Sequence, residues 1–575
     1  MREIESFCPR SEPLIRFFVI LALMVVFVVC GLPSSPARSQ PIPKPAEPGQ
    51  IEKQFKAPAT PKSVLEPVIP EFDGKEAPPE QAGKITFVLS GITVGGSTVY
   101  QPADFEPLYK QYLGRHVSLL QIYEIARAIT AKYRNNGYIL SRAIVPPQKI
   151  RNGLVHIEII EGYINKIIIE GDRRDSRNLF ERFGEKITRS IPLQIKKLER
   201  YLLLAGDLPG TAVQSVLRPA QNEQGASELV ITVTQKIMQG SLSLDNRGSK
   251  YIGPAQLAAL IDLNSLFTLS EKSRLRYIAT PEDSEELRYF DFLHEEMLDA
   301  EGTKITLQAS RILSEPGHSL DPLEVKSAST SFAAAVSRPF VRSRAKNFAL
   351  YCNFSYRENK TDILESKIFE DRLRVIRLGG SYDFVDSFKG INLIALEISK
   401  GLNIFNNTDR TDDQSRANGR SDFSKITADL FRLQRLSSHC NLLIAATGQY
   451  APHSLLSSEE FSLGGTQFGR AYDPSEINGD YGAAGKLELQ YSGSPDLSYL
   501  KAWQFYGFYD GGAVWENIDH ERQSLTSAGI GVRFNLTDWM SGYVELAKPL
   551  TLPVAAEEPG GGNDSRFFFN LTARF

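Results

Sequence analysis

Everything after Lys236 reads as strands separated by polar loops, and the period of two is clearest toward the C-terminus. Leu487, Leu489 and Tyr491 alternate with Lys486, Glu488 and Gln490; Ile530, Val532 and Phe534 alternate with Gly529, Gly531, Arg533 and Asn535. Phe567, Phe569, Leu571, Ala573 and Phe575 alternate with Phe568, Asn570, Thr572 and Arg574. Successive side chains of a strand point to opposite faces, so each segment has one apolar and one wet face. Strands of this kind fit a closed antiparallel barrel with an apolar outer wall and an aqueous lumen. If 16 strands close it, residues 237–575 supply about 21 residues per strand and loop, ample for strands of roughly ten.

The chain of 575 residues is long enough for two to four domains. Its net charge of −3 and lack of a basic run give no hint of nucleic acid. Residues 1–39 read as a signal peptide: Arg16 precedes an apolar run over 17–32, shorter than the roughly 20 residues of a spanning helix. Ala37 and Ser39 supply small residues for cleavage before Gln40. An uncleaved inner-membrane anchor is the competing reading. Of the four cysteines, Cys352 and Cys440 remain in the mature chain, too few for a disulfide framework. Cys352 shares an apolar strand face with Leu350 and Phe354, which points it at lipid.

Residues 40–83 are Pro-rich and read as an extended linker that cannot pack a core. Only residues 50–56 have room for two helical turns, which leaves a short plug helix and a pure spacer both open. Residues 84–162 and 163–236 then repeat the order β-α-α-β-β. In the first unit a strand over 84–94 leads to a helix marked by Phe105, Leu108, Tyr109 and Tyr112. Ser118 with Gln121 makes a capping box for a second helix carrying Ile122, Ile125, Ala126, Ile129 and Tyr133. Strands over 138–145 and 154–161 complete it. In the second, helices around Phe180 and Leu198 precede strands over 214–218 and 228–234.

One acid sits in an unexpected place. Asp510 falls in an aromatic strand, Phe505-Tyr-Gly-Phe508-Tyr-Asp510-Gly-Gly512, on the same face as Gln504 and Tyr506 and opposite Trp503 and Phe505. It therefore points into the lumen. Upstream, the Gly-rich segment 464–482 offers Arg470, and a guanidinium can grip a carboxylate bidentately. Counting five strands back from the C-terminus, 464–482 joins strands 11 and 12 of a 16-stranded barrel and acts as a plug loop. A merely structural role for the pair is the bland reading. No catalytic constellation accompanies it: His294-Glu295-Glu296 lacks the second His of a zinc helix, and no nucleophile elbow or phosphate loop appears. The reading is of no enzyme, no metal and no cofactor.

The two αβ units, with the turn Leu204-Ala-Gly-Asp-Leu-Pro-Gly210, resemble tandem POTRA domains. With Asp245-Asn-Arg-Gly248, Phe431-Arg-Leu-Gln434, Gln449, Glu460-Phe-Ser-Leu-Gly-Gly465 and the Asp510 strand, residues 84–575 resemble the outer-membrane transporter of a two-partner secretion system, of the haemolysin activator and filamentous-haemagglutinin transporter type. The fold class implied is α+β periplasmic POTRA domains followed by a 16-stranded antiparallel transmembrane β-barrel, in the outer membrane of a Gram-negative bacterium.

The function implied is secretion, with possible activation left open, of a large exoprotein whose N-terminal secretion domain the POTRA units capture by strand addition. It then passes unfolded through the barrel. Outer-membrane lipid and the barrel-assembly machinery are the other implied partners, the latter reading a C-terminal strand that ends on Phe575. The plug-loop latch implied comprises Gly464, Gly465, Gly469, Arg470 and Tyr472 with Phe505, Phe508, Asp510 and Gly512. The family's loop usually reads Arg-Gly-Tyr, and here Ala471 replaces the glycine; a positive φ at that position would penalise Ala. An outer-membrane assembly insertase of the same superfamily is the alternative. A passive porin leaves the POTRA units unexplained.

Overall fold

The computed structural model describes residues 43–56, 58–64, 82–171, 178–220, 223–267, 270–408, 413–495, 497, 499–518, 520–557 and 562–575. The expected signal peptide, residues 1–39, and about half of the Pro-rich stretch 40–83 lie outside them.

Sixteen antiparallel strands form a closed barrel, from the first, Met238–Asp245, to the sixteenth, Arg566–Arg574, which pair with each other. The outer wall is apolar, with Leu275, Phe292, Phe332, Leu378, Leu396 and Ile530 all exposed. Cys352 is exposed on the same wall. The strands Lys326–Arg342, Lys346–Ile363 and Ser366–Val385 have 17, 18 and 20 residues, far beyond the ten expected. In the first of them residues 338–342 run past the Lys304↔Ser337 pair toward the αβ units, and in the third residues 366–374 run past the Val375↔Gly401 pair at the opposite end.

The lumen holds part of the Pro-rich stretch, and the short helix left open for residues 50–56 forms two residues earlier. Helix α1 (Pro48–Gln54) lies inside the barrel with Ile51 buried beside Leu287, Tyr289 and Ile312. Pro48 at its first turn costs no hydrogen bond, because that N–H would have no helical partner. Seven residues are too few for a helix to persist in water. The wall supplies what the sequence lacks: Arg357 pairs with Glu52 at 2.8 Å, Phe55 stacks on Tyr289 with centroids 5.0 Å apart, and Lys53 donates to the carbonyl of Glu460 at 2.6 Å. Beyond the helix, Ser63 donates its N–H to Asp383 at 2.8 Å, near the barrel end that faces the αβ units.

In the first αβ unit β1 (Thr86–Val88) and β2 (Gly91–Gly95) replace the single strand expected over 84–94. Between them the chain changes partners, Leu89 N–H bonding Arg115 and Ser90 N–H bonding Gly153, so the two halves enter different sheets. The helical signal around Phe105 becomes short turns including α2 (Glu106–Tyr109), ahead of β3 (His116–Ser118). The helix α3 (Leu119–Asn135) starts with the expected capping box, Ser118 N–H to Gln121 Oε1 at 2.8 Å and Gln121 N–H to Ser118 Oγ at 3.4 Å. Its spaced face, Ile122 to Tyr133, is buried. The strand expected over 138–145 shortens to β4 (Arg142–Ile144), antiparallel to β5 (Leu154–Ile160), which runs parallel to β2.

The second unit consists of β6 (Tyr163–Gly171), α4 (Leu179–Thr188), α5 (Ile195–Gly206), β7 (Thr211–Pro219) and β8 (Ala226–Gln235). The sheet order β6-β8-β7 leaves β7 at an edge. Its core takes in Met297, the last residue of the fourth barrel strand, and Ala300 from the turn to the fifth. On that turn Glu301 accepts Lys186 at 2.8 Å, Arg200 at 3.1 Å and Tyr201 at 3.1 Å. Arg342 grips Asp207 with Nε at 2.8 Å and Nη2 at 2.9 Å. The unit is thus seated on the barrel by a shared core and two ion clusters.

Candidate functional site

The loop between the eleventh strand (Cys440–Tyr450) and the twelfth (Tyr481–Gly493) folds into the lumen. Phe461–Leu463 and Ile477–Gly479 pair as a short hairpin, and Leu463 and Ile477 pack with Val514 and Leu525 of the wall. Gly464, Gly465 and Gly469 hold φ of 113°, 89° and 78°. A Cβ on Gly464 would stand 2.1 Å from the Asp473 carbonyl oxygen, and one on Gly469 2.5 Å from Leu525 Cδ1. The chain reverses there because glycine tolerates this region and leaves room for its neighbours.

The tip delivers Arg470, 4% exposed, to Asp510, fully buried on the lumen face of the thirteenth strand (Ala502–Trp515). Asp510 Oδ2 accepts Arg470 Nε at 2.8 Å. Its Oδ1 accepts the backbone N–H of Gly469 at 3.0 Å and of Arg470 at 3.3 Å, and the hydroxyl of Ser527. The bidentate side-chain grip expected from the sequence is therefore not made. Backbone amides occupy one carboxylate oxygen, and the guanidinium turns its Nη1 to Glu488 at 2.6 Å, with Glu545 3.6 Å away. Arg533 also reaches Glu488, at 2.7 Å, and Arg247 reaches Glu545 at 2.6 Å. Three arginines thus face three carboxylates, and deleting one member would strand a buried charge at about 3–5 kcal/mol.

Around this core Phe508 presents its ring face to Arg470, with Cζ 3.4 Å from the centroid, a cation–π contact. Tyr472 donates to the Thr526 carbonyl at 3.1 Å and accepts the N–H of Leu552 at 3.2 Å. Gly512 lies under the loop hairpin, where a Cβ would be 2.6 Å from Leu463 Cδ1. Phe505 does not join the latch. It points outward, 53% exposed, and packs edge-on to Trp503 at 4.9 Å. In a strand an odd separation from Asp510 means the opposite face, so Phe505 belongs to the lipid-facing wall. Ala471 is buried and is not among the positive-φ residues; the left-handed turn falls at Gly469, so the methyl carries no backbone penalty.

Sequence reasoning passed over Glu488, Arg533 and Glu545 as partners, although Glu488 and Arg533 stand on the polar face of alternating strands. Parity marks them as lumen residues, and only the register brings them to Arg470. Arg566 was also passed over; it donates to the Ala471 carbonyl at 2.8 Å. Phe575 exchanges backbone hydrogen bonds with Gly240 of the first strand at 2.8 and 3.0 Å.

A 16-stranded barrel, αβ units at one end and a loop pinned inside the lumen define an outer-membrane transporter of polypeptides. Residues 225–534, more than half of the chain, match the model of the haemolysin secretion/activation protein ShlB/FhaC/HecB family. The chain belongs to that family, the transporters of two-partner secretion. Residues 87–162 match the POTRA domain, ShlB-type. The heme/hemopexin transporter protein HuxB of Haemophilus influenzae is 26% identical over 463 residues, covering 77% of this chain and 80% of the relative. The outer membrane transporter CdiB of Dickeya dadantii is 24% identical over 484 residues, covering 81% and 83%. Among solved structures, CdiB from Escherichia coli has the same fold, with a TM-score of 0.70 at 18% identity over 99% of this chain and 100% of that one. The relatives bear the names of transporters, not enzymes.

Proposed function

We propose that this transporter captures its partner exoprotein in the periplasm with POTRA units at 84–162 and 163–236, and threads it unfolded through a barrel at 237–575 after α1 and the Arg470 loop withdraw. One observation carries the reading: α1 and the loop interlock inside the lumen. Gln50 donates to the Ser457 carbonyl, Lys53 to the Glu460 carbonyl, and Lys44 pairs with Glu460 at 3.0 Å. A polypeptide cannot share that space with both, so they must move. The edge strand β7 has unpaired backbone groups along one side and suits capture by strand addition.

Residues 1–39 serve as the export signal, lipid covers the apolar wall, and the barrel-assembly machinery reads the strand ending on Phe575. The chain carries out no catalytic step, and folding of the cargo outside draws it through. Two POTRA units and a lumen-filling helix favour secretion over membrane insertion of other barrels. The test is co-expression with a candidate exoprotein in a Gram-negative host. Exoprotein in the medium only when this chain is present supports the reading; none in the medium, with faster insertion of barrel substrates into liposomes, overturns it.

A further inference from the structure

The two strands that meet at the closing seam each send an arginine to the same loop tip. Arg247, two residues past the end of the first strand, donates from Nη1 to the carbonyl of Arg470 at 2.9 Å. Arg566, which opens the sixteenth strand, donates from Nη1 to the next carbonyl, that of Ala471, at 2.8 Å, and from Nη2 to Asp473 at 2.6 Å. Both guanidiniums lie against the buried ring of Phe568, at 3.9 and 5.1 Å from its centroid. The tip is therefore held on its N–H side by Asp510 and on its carbonyl side by the seam.

This seam is the short one. Its ladder runs through five pairs, from Arg574↔Ser241 to Asn570↔Asp245, against eight between the first and second strands and eight between the fifteenth and sixteenth. Beyond Asp245 a side chain takes over from the ladder: Asn246 Nδ2 donates to the Phe567 carbonyl at 2.8 Å, and its Oδ1 accepts the Phe569 N–H at 2.8 Å. The next residue is Arg247, which also crosses to Glu545 at 2.6 Å and Tyr543 at 3.0 Å on the fifteenth strand. Within Asp245-Asn-Arg-Gly248, one side chain thus prolongs the seam and its neighbour grips the loop.

We infer that Arg247 and Arg566 are positioning residues through which the loop tip clasps the first and sixteenth strands together, so that withdrawal of the tip loosens the seam and a loosened seam releases the tip. The inference rests on the proposed withdrawal of the loop, and it goes further by assigning that motion a mechanical consequence in the wall. A guanidinium donating to a buried backbone carbonyl is a charge-assisted hydrogen bond, and removing it leaves the carbonyl acceptor unsatisfied in the latched state, which favours the displaced one.

The test uses the full chain in isolated outer membranes without exoprotein, on a Cys352→Ser, Cys440→Ser background, with native assembly verified by heat-modifiable gel mobility. One protein carries Ser243→Cys with Thr572→Cys, register partners across the seam, and reports disulfide yield under a fixed oxidant pulse. A second carries Ala471→Cys and reports labelling by a water-soluble maleimide. With Arg247→Gln and Arg566→Gln together, labelling rises by about tenfold and seam cross-linking falls, as expected for the loss of charge-assisted hydrogen bonds.

The decisive arm is Arg470→Ala, which removes the side-chain half of the tip's grip on Asp510 and touches neither seam arginine's side chain: with the tip more weakly held, seam cross-linking falls there too. The control Asp262→Asn, which breaks only the cross-strand pair with Arg274, changes neither signal. Seam cross-linking unchanged by Arg470→Ala overturns the inference. If the double glutamine variant does not assemble, the Arg470→Ala arm decides alone. No cargo is present, so failure here is distinguishable from failure of the secretion reading, which is judged by exoprotein in the medium.

Discussion

Arg470 binds Asp510 twice, once from its side chain through Nε at 2.8 Å and once from its own backbone N–H at 3.3 Å. The carboxylate therefore fixes the path of the loop as well as the charge it carries. Arg470→Ala should keep the backbone contacts while leaving Asp510 and Glu488 short of a cation. The expected result is secretion reduced at least about tenfold, with the amount of heat-modifiable, folded barrel changed less than about twofold. Quantitative blots of medium and outer membrane measure both, and equal losses would make the pair purely structural.

Glycine matters at 469 and not at 471. Gly469→Ala places a methyl 2.5 Å from Leu525 Cδ1 at a φ of 78°, and should lower secretion and weaken the barrel against heat by roughly 1 kcal/mol or more. Ala471→Gly, which restores the usual residue of the family, should leave both within about 0.5–1 kcal/mol of the parent, equivalent to a secretion change of no more than a few-fold. Side-by-side secretion assays and melting of the two variants check this.

Helix α1 is held by charges that the wall provides. Reversing one of them, Glu52→Lys, sets a cation against Arg357 where a 2.8 Å ion pair stood. Single-channel recordings should show larger and more frequent openings than the parent, and Arg357→Glu in the same chain should return them toward the parental level. Conductance unchanged by Glu52→Lys would mean that α1 does not limit the pore.

Docking of the second POTRA unit on the barrel should weaken in acid. Burial pushes the carboxyl of Glu301 up, but hydrogen bonds from Lys186 and Arg200 outweigh it and hold the group below its ordinary value. A carboxylate depressed on docking adds stability above its undocked pKa and loses it as pH falls through the docked one. Protection of the α4 amides, taken relative to the intrinsic exchange rate at each pH, should thus be high at pH 7 and lower below about pH 4. Lys186→Met should show fast exchange already at neutral pH.

The alternation of Leu487 with Glu488, or Ile530 with Arg533, is a local property of a strand. It made a barrel and the lumen face of Asp510 legible before any coordinates, while the number 16 was implied by the family resemblance. Which lumen residues meet is a matter of register and of a loop crossing the pore, and neither leaves a periodic trace. Glu488, Glu545 and Arg566 were therefore invisible as partners of the tip. The helix α1 was left undecided against a spacer for a related reason: seven residues among prolines have no intrinsic stability, and the wall that orders them lies hundreds of residues away. The split of β1 from β2 likewise depends on Leu89 and Ser90 finding different partners, which propensity cannot express.

The central claim is that α1 must leave the lumen for an exoprotein to pass, and a reversible lock tests it directly. A Cβ on Gly49 would lie 3.1 Å from Nδ2 of Asn359 in the seventh barrel strand, so Gly49→Cys with Asn359→Cys ties the helix to the wall itself and not to the loop that moves with it. On the Cys352→Ser, Cys440→Ser background, the locked chain should assemble normally, secrete no exoprotein when oxidised, and recover secretion when the bond is reduced. Parental secretion with the disulfide fully formed would contradict the claim.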